Sequence, residues 1–222
     1  MVEGEEEFGF RSSPSGALSD WAEIARHWHA RNGRLVEQCG GADAPFVHGE
    51  HGNTHNFLLA AENCGISTLR EVLGNRGDTN GRQGRLDAAM IQGERLDLVE
   101  AKFTEFRLGA DGLPATRDLT KCARLLEDAQ AQADAYRNKH PMYLGHGRRE
   151  RRISLLFVAA HLTDFSEPAD GRVAQYVKAM HAVPHEFMSW SFPVSARSLS
   201  YWGRHYPGVI LLARTSATAA HE

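Results

Sequence analysis

The chain has 222 residues, enough for one domain with a sizeable core, and its 42% hydrophobic residues are ordinary for a globular protein. Its formal net charge of −3 argues against a protein that only coats nucleic acid, because such proteins are normally basic. The longest apolar run, Ile153–Ala160, is broken only by Ser154 and is too short to span a bilayer.

The N-terminal region and the cysteines predict a compartment. Residues 1–10 are acidic and lack the basic start and apolar stretch of a secretory signal. Residues 1–18 are predicted to be a disordered acidic tail, followed by a single domain over residues 19–222. Cys39, Cys64 and Cys122 are far apart in sequence and odd in number, which indicates reduced thiols and a cytoplasmic protein.

Hydrophobic periodicity predicts alternating helices and strands, and therefore an α/β fold. The predicted elements, in chain order, are helices over 20–37 and 53–63, a segment over 68–73 that fits either a helix or a strand and is assigned a strand, strands over 85–91 and 95–103, a helix over 116–139, a strand over 152–162, a helix over 171–181, and strands over 187–194 and 209–213.

The two strands over 85–91 and 95–103 are predicted to form a hairpin with Gly93-Glu94 as its turn. Glycine in the first loop position suits a type II′ turn. A two-residue turn fixes the register, so that Gln92 would oppose Arg95. The same register would place Asp87 opposite Glu100, and Arg85 opposite Lys102.

Alternation along the strands would place Asp87, Glu100, Arg85 and Lys102 on one face of the hairpin. Opposed carboxylates with Cβ atoms about 5 Å apart repel unless a cation lies between them. Mg²⁺, or Mn²⁺ in its place, is such a cation, because it prefers hard oxygen ligands. The alternative interpretation is an ordinary solvated strand face that carries charges by chance.

The hairpin residues resemble the PD-(D/E)XK nuclease superfamily, which has the restriction-endonuclease-like fold. Its core is a helix, three strands, a helix and a strand, with an Asp on one hairpin strand and acid-x-Lys on the next. The matching residues are Asp87 in "GRLDAAMI" and Glu100-Ala101-Lys102 in "LDLVEAKF". Leu86 precedes Asp87 where the family motif has proline, which is a departure.

Two further segments carry the resemblance, which covers about residues 48–162. "HGEHGNTHNFLL" resembles the Gly-Glu opening of the first core helix in resolvase-like members, with Glu50 as the matching acid and Glu62 as the alternative. "QADAY" has the Gln-x-x-x-Tyr spacing of RecB-like members, with Gln132 and Tyr136 one helical turn apart.

The resemblance implies a restriction-endonuclease-like core, with a mixed central sheet flanked by helices, and a Mg²⁺-dependent endonuclease that hydrolyses phosphodiester bonds. DNA is the implied substrate. The implied metal-holding groups are Asp87, Glu100, the carbonyl of Ala101 and Glu50. Lys102 would orient the attacking water. The implied assisting groups are Gln132 in catalysis and Arg85 and Tyr136 in substrate binding.

The biological settings that fit such a nuclease are an antibacterial toxin acting in the cytoplasm of a target cell, phage defence, and repair. A toxin would have an inhibitor or immunity protein as a partner. One rival hypothesis is a non-catalytic module of the same fold that binds nucleic acid or protein. Another is an unrelated hydrolase built on His48, His51 and His55, of which His51 and His55 have the spacing of helical zinc pairs.

Three sets of residues outside the hairpin are ambiguous in the sequence. The basic run over residues 147–152 is either a solvated loop or a grip on a backbone phosphate. Asp97 and Asp134 are predicted to be surface residues. Four aromatic residues are candidates for base stacking, although core packing is the expectation for most of them: Trp190, Tyr201, Trp202 and Tyr206.

Overall fold

Eight strands form one mixed sheet in the computed structural model of the chain, which describes residues 7–75, 83–109, 112–136, 148–162 and 170–216. The strands are β1 (Phe8–Ser12), β2 (Ser67–Asn75), β3 (Gln83–Gln92), β4 (Arg95–Arg107), β5 (Arg149–Leu162), β6 (Phe187–Ser191), β7 (Ser200–Tyr201) and β8 (Arg204–Thr215). Their order across the sheet is β1-β6-β8-β5-β4-β3-β2, with β7 paired to β8. The β4–β5 pair is parallel and the other pairs are antiparallel.

Helices cover both faces of this sheet. They are α1 (Ala22–Gln38), α2 (Gly49–Asn63), α3 (Thr116–Ala135) and α4 (Asp170–Met180). Alternate residues of β5 enter two different clusters, with Phe157 packing among side chains of α1 and α2, and Val158 among those of α3 and α4. The predicted α/β class, a mixed sheet flanked by helices, is confirmed.

The elements follow the predicted order with β1 and β7 added, and the bounds of both strands and helices differ. Strand β8 begins at Arg204, five residues before the predicted start at 209, and β4 ends at Arg107, four residues after the predicted end at 103. Helix α2 begins at Gly49, four residues before the predicted start at Asn53. Helix α3 ends at Ala135, because Tyr136 already has extended backbone angles (φ −65°, ψ 134°). Residues 137–139 of the predicted helix lie outside the described residues. Among the described helices, none combines the length and the hydropathy that crossing a bilayer would need.

The prediction of a disordered tail over residues 1–18 is wrong for residues 7–18. Strand β1 pairs with β6, from Phe8 opposite Ser191 to Ser12 opposite Phe187. Phe8 and Phe10 pack against the core, and Leu18 is fully buried. Burial of these apolar side chains outweighs the effect of the local polar composition. Residues 1–6 lie outside the described part of the chain.

The prediction that Asp97 is a surface residue is also wrong, because Asp97 is fully buried. Its carboxylate accepts hydrogen bonds from Arg151 at 2.7 Å through both Nε and Nη2, and Arg95 Nε lies 3.4 Å away. Arg151 also donates to Asp20 at 3.1 Å. Burial alone would lower the pKa of Arg151, but its hydrogen bonds to Asp97 and Asp20 raise it above the usual value.

Two arginines of the basic run over residues 147–152 have a structural role, and the predicted grip on a phosphate stays a prediction for Arg148 and Arg149. Arg152 Nη1 donates to the carbonyl oxygens of Ala133, Asp134 and Tyr136 at 2.7–2.9 Å, which satisfies carbonyl groups at the C-terminal end of α3. Arg151 and Arg152 are committed to these internal partners. Gly147 lies outside the described residues.

The three cysteines are free thiols in different environments. Cys39 is exposed, Cys64 is partly buried and Cys122 is buried. Burial raises the pKa of the Cys122 thiol to about 12. Cys122 is therefore a packing residue and not a nucleophile at neutral pH.

Candidate functional site

The turn region of the β3–β4 hairpin has the predicted register. Gln92 pairs with Arg95, Ala89 with Leu98, and Ala88 with Val99. Gly93 has a φ of +57°, as the first position of a type II′ turn requires.

The β3–β4 pairing ends at Ala88 and Val99, directly before Asp87. The pairing of β2 with β3 also skips one position, which is Asp87 opposite Glu71. Glu71 has a φ of +51°, an unusual value for a residue other than glycine. Asp87 therefore lies where the regular ladders on both sides of β3 are interrupted.

The predicted opposition of Asp87 to Glu100 and of Arg85 to Lys102 is wrong, because the strands no longer pair there. Leu86 and Ala89 belong to the same apolar cluster, although uninterrupted alternation would place them on opposite faces. The interruption at Asp87 shifts the alternation. Arg85 Nη1 instead lies 2.7 Å from Glu71 Oε2 on the β2 side of the hairpin.

The carboxylate of Asp87 nevertheless meets β4 at the predicted motif. Asp87 Oδ2 accepts a hydrogen bond of 2.6 Å from the backbone N–H of Ala101. It thus provides an acceptor for a β4 donor beyond the end of the ladder. The backbone pairing of β3 with β4 ends here, and the Asp87 side chain, instead of the β3 backbone, contacts the Glu100-Ala101-Lys102 segment.

The side chain of Lys102 folds back onto its own strand. Its Nζ donates to Glu100 Oε1 at 2.7 Å and to the carbonyl oxygen of Ala101 at 3.0 Å. The Glu100 side chain is only 5% exposed, whereas that of Lys102 is 21% exposed. An ammonium group therefore rests on two of the oxygens that the resemblance assigns to a metal ion.

Glu50 reaches the same region from the first turn of α2. Gly49 begins that helix with a φ of +68° and comes close to Phe103 of β4. At Gly52 a Cβ atom would lie 2.9 Å from the Pro45 carbonyl oxygen, so only glycine allows α2 to lie this close to the backbone of Pro45. Burial raises the pKa of Glu50, the Lys102 ammonium lowers it and the Asp87 carboxylate raises it. The charges of Glu50, Asp87 and Lys102 are thus close enough to interact.

The donor atoms fit a hard cation in their chemistry. Asp87 and Glu100 provide carboxylates, Ala101 provides a carbonyl, and a positive group already lies on two of these oxygens. In their described positions, however, no three His, Cys, Asp or Glu side chains of the described residues are grouped so that they could hold a metal ion. Metal binding would require the Lys102 ammonium to withdraw from Glu100 and Ala101.

Gln132 and Tyr136 are not brought into this site by any described contact. Gln132 Nε2 donates to the Asp128 carbonyl oxygen of its own helix at 3.2 Å. Tyr136 follows the helix, is 1% exposed, and donates its hydroxyl hydrogen to the Leu73 carbonyl oxygen at 2.8 Å. The predicted helix is too long at this end, because α3 ends at Ala135 with Tyr136 as the next residue, and the roles predicted for Gln132 and Tyr136 stay predictions. Tyr136 joins the helix end to β2.

Tyr136→Phe is expected to lower stability without lowering any activity of the Asp87 site. The variant loses the hydrogen bond to Leu73, which is worth about 1 kcal/mol. This corresponds to a decrease of about 2–4 °C in Tm, measured by thermal unfolding. A large loss of cleavage at unchanged Tm would instead return Tyr136 to the substrate-binding role.

The histidine cluster is spread over separate contacts. His48 Nε2 lies 2.6 Å from Asp43 Oδ1, and His55 Nδ1 lies 3.1 Å from Arg70 Nη1. Burial lowers the pKa of His55, and the nearby Arg70 and Arg31 lower it further. His51 is exposed on α2 next to Glu50. The neighbouring cations make the surroundings of His55 unfavourable for a zinc ion.

The remaining acid that the resemblance allowed, Glu62, lies elsewhere. Its Oε1 accepts a hydrogen bond of 2.5 Å from Thr68 Oγ1, on the exposed side of α2. Sequence reasoning missed Glu71, which contacts Arg85 at a distorted position of β2 that left no periodic signal in the sequence.

No family model, no curated protein and no solved structure matches this chain.

Proposed function

We propose that the chain is a metal-dependent nuclease that hydrolyses phosphodiester bonds, with DNA as its substrate and the restriction-endonuclease-like fold as its core. The observation that carries this proposal is the meeting of Asp87 with Glu100-Ala101-Lys102 where β3 and β4 separate. One contact joins Asp87 to the Ala101 N–H, and two others hold Lys102 on Glu100 and the Ala101 carbonyl.

The order of elements around the site supports the proposal. α2, β2, β3, β4, α3 and β5 follow one another as a helix, three strands, a helix and a strand. Strands β2, β3, β4 and β5 are neighbours in that order across the sheet, and β5 returns parallel to β4. This is the order of elements in the core of the PD-(D/E)XK superfamily, which the hairpin residues resemble.

Each site group has a role that follows from its chemistry. Asp87, Glu100 and the Ala101 carbonyl would hold Mg²⁺ or Mn²⁺, with Glu50 joining directly or through water. A bound divalent cation supplies positive charge beside the phosphate that is attacked. Lys102 donates hydrogen bonds that orient the attacking water and offset the negative charge gained by the phosphate oxygens.

Hydrolysis then has a simple atomic balance. The water oxygen forms a bond to phosphorus and gives up a proton, one ester P–O bond breaks, and the leaving oxygen takes up a proton. Arg85 does not oppose Lys102 and is paired with Glu71, and its contact with substrate stays a proposal.

Cleavage of supercoiled plasmid DNA is the direct test. Wild-type protein is incubated with Mg²⁺, Mn²⁺, Zn²⁺ or EDTA, beside Asp87→Asn and a matched control, Asp128→Asn, at an exposed carboxylate on α3. Nicking or linearisation with Mg²⁺ or Mn²⁺ is expected for the wild type and the control, and its loss for Asp87→Asn. Cleavage with Zn²⁺ alone that survives Asp87→Asn would favour a hydrolase built on the histidines.

A second candidate is a non-catalytic module of the same fold that binds nucleic acid or protein. The absence of a metal-holding side-chain group among the described residues, in their described positions, favours it. The non-catalytic module would bind DNA or protein and would not cleave DNA with Mg²⁺, Mn²⁺ or Zn²⁺. The biological setting, a delivered antibacterial toxin or a defence nuclease, and an immunity protein as partner remain predictions from the sequence.

Metal binding should also be measurable without any cleavage. At about 100 times its Kd, Mg²⁺ or Mn²⁺ would stabilise the folded chain by about 2.7 kcal/mol, which raises Tm by about 5–10 °C. Asp87→Asn should lose most of this shift in Tm, because the asparagine amide carries no negative charge for the metal ion. Its amide oxygen can still accept the hydrogen bond from Ala101 N–H, so the fold is kept. Differential scanning calorimetry with and without metal provides the measurement.

Glu62→Gln serves as the matched control for that experiment, since Glu62 is the alternative acid on α2 and contacts Thr68. Its metal-dependent shift should equal that of the wild type. A shift that survives Asp87→Asn but disappears in Glu62→Gln would move the metal to a different place.

A further inference from the structure

Trp202 differs from the other tryptophans of the chain in its exposure. Its side chain is 87% exposed, whereas Trp21 and Trp28 are fully buried and Trp190 is 9% exposed. The sequence contains four tryptophans in all. A large apolar side chain exposed to this extent gains almost no packing energy from its own fold.

The backbone at Trp202 is also unfavourable for a bulky residue. Trp202 and Gly203 form the two-residue turn between β7 and β8, with Tyr201 paired to Arg204. Their φ angles are +53° and +71°, as in a type I′ turn, which favours Asn or Gly at both positions. A tryptophan there is strained and unpacked, so neither turn geometry nor burial explains its presence.

The surroundings of the turn combine aromatic rings with arginine side chains, one of which is paired with a carboxylate. The Tyr201 ring lies 6.2 Å from that of Trp202, and the His48 ring lies 5.9 Å from Tyr201. Next to the turn, Arg204 Nη1 is fixed at 2.6 Å from Glu105 Oε1. Arg107, at the end of β4, is exposed, and β5 lies between β4 and β8.

The same contacts connect the turn to the proposed nuclease site. His48 immediately precedes α2 and contacts Tyr201, and Glu50 follows His48 by two residues on the first turn of that helix. Glu50 interacts electrostatically with Lys102 and Asp87. A nucleic-acid strand bound at the start of α2 would thus lie near both the Asp87 site and the β7–β8 turn.

We propose that Trp202 stacks on an unpaired nucleobase of the substrate, with Arg204 and Arg107 beside the adjoining backbone phosphates. The inference rests on the proposed function, because that function provides nucleic acid as the ligand. An indole face stacks on any base, and arginines contribute the charge that the phosphates need. The protein would therefore bind single-stranded or locally opened substrate more tightly than intact duplex.

Tryptophan fluorescence tests this directly, since Trp202 is the one highly exposed indole. Metal-free protein in EDTA is titrated with dT12, with rU12, and with a blunt duplex of the same length. Quenching by dT12 or rU12 is expected, and quenching by both or by one supports the proposal. Weak quenching is expected with the duplex. Quenching by neither single strand would overturn the proposal.

Trp202→Asn is the decisive variant, because asparagine suits the turn. It should raise the Kd for the better of the two oligonucleotides by about 5- to 150-fold, as the loss of one base–aromatic stack predicts. Its Tm should equal that of the wild type or exceed it by about 2–4 °C, since strain is relieved. Val194→Asn, at another exposed apolar side chain (52% exposed), should bind like the wild type.

The stacking role is rejected by an unchanged Kd in Trp202→Asn, by an equal loss of affinity in Val194→Asn, or by a clear fall in Tm that makes Trp202 a structural residue. An equal loss of affinity for the duplex would also reject it. Plasmid cleavage is scored separately. Metal-dependent cleavage without oligonucleotide quenching would overturn the stacking role alone, whereas quenching without cleavage would support it and reject the nuclease proposal.

Discussion

Lys102→Ala is expected to reduce the rate of DNA cleavage by about 10²- to 10⁴-fold, the range for loss of a positioned catalytic group. Lys102 is the cation held against Glu100 and the Ala101 carbonyl, beside Asp87. Its removal takes away the donor that would orient water and offset charge on the phosphate. Single-turnover cleavage in Mg²⁺ measures the chemical step without the contribution of product release.

Lys178→Ala is the matched control, since Lys178 is exposed on α4. It should cleave at the wild-type rate. A near wild-type single-turnover rate in Lys102→Ala would remove Lys102 from the mechanism and with it the main support for a nuclease.

Metal affinity gives Lys102 a second readout. Because its ammonium rests on two proposed metal-binding oxygens, its loss should tighten Mg²⁺ or Mn²⁺ binding while cleavage falls. Isothermal titration of wild type, Lys102→Ala and Lys102→Met separates the two effects. Weaker binding in both variants would mean that Lys102 assembles the site and does not compete for it.

Asp97→Ala is expected to cause the largest loss of stability among the changes considered. Asp97 is fully buried and accepts two hydrogen bonds of 2.7 Å from Arg151. Removing one partner of a buried ion pair costs up to about 3–5 kcal/mol, and Arg151 would keep only its contacts with Ala17 and the partly exposed Asp20. The expected fall in Tm is about 6–20 °C, measured by calorimetry.

Glu23→Ala is the control for that prediction, because it breaks an ion pair with Arg26 in which both side chains are more than half exposed. Pairs of this kind contribute about 0.2–1 kcal/mol. Equal losses in the two variants would show that Asp97 and Arg151 contribute no more than a surface pair.

Hydrophobic spacing predicted the helices and strands that bury one face against the core. The hairpin register near Gly93 follows from the turn and from apolar alternation, and the Asp87 and Glu100-Ala101-Lys102 motifs are adjacent as predicted. The opposition of Arg85 to Lys102 failed because Glu71 and Asp87 leave the ladder. A local distortion of this kind leaves no trace in hydrophobic spacing.

Long-range partners account for the other errors. Asp97 reads as a surface residue until Arg151, 54 positions later in the chain, is placed beside it. Tyr136 continues the apolar stripe of α3 in sequence, but its hydroxyl bonds to Leu73 on a strand 63 positions earlier. Residues 7–18 read as polar and flexible until β6 supplies a pairing partner for β1. In each case a tertiary contact outweighs local composition.

The pairing of β1 with β6 has a consequence for synthesis of the chain. β1 ends at Ser12, and its partner strand begins at Phe187. A ribosome adding about 5–20 residues per second needs roughly 9–35 s to cover that separation. Throughout this interval Phe8 and Phe10 have no β6 to pair with. The edge of the sheet is therefore completed late, and a nascent chain stalled before Phe187 would leave β1 without its partner strand.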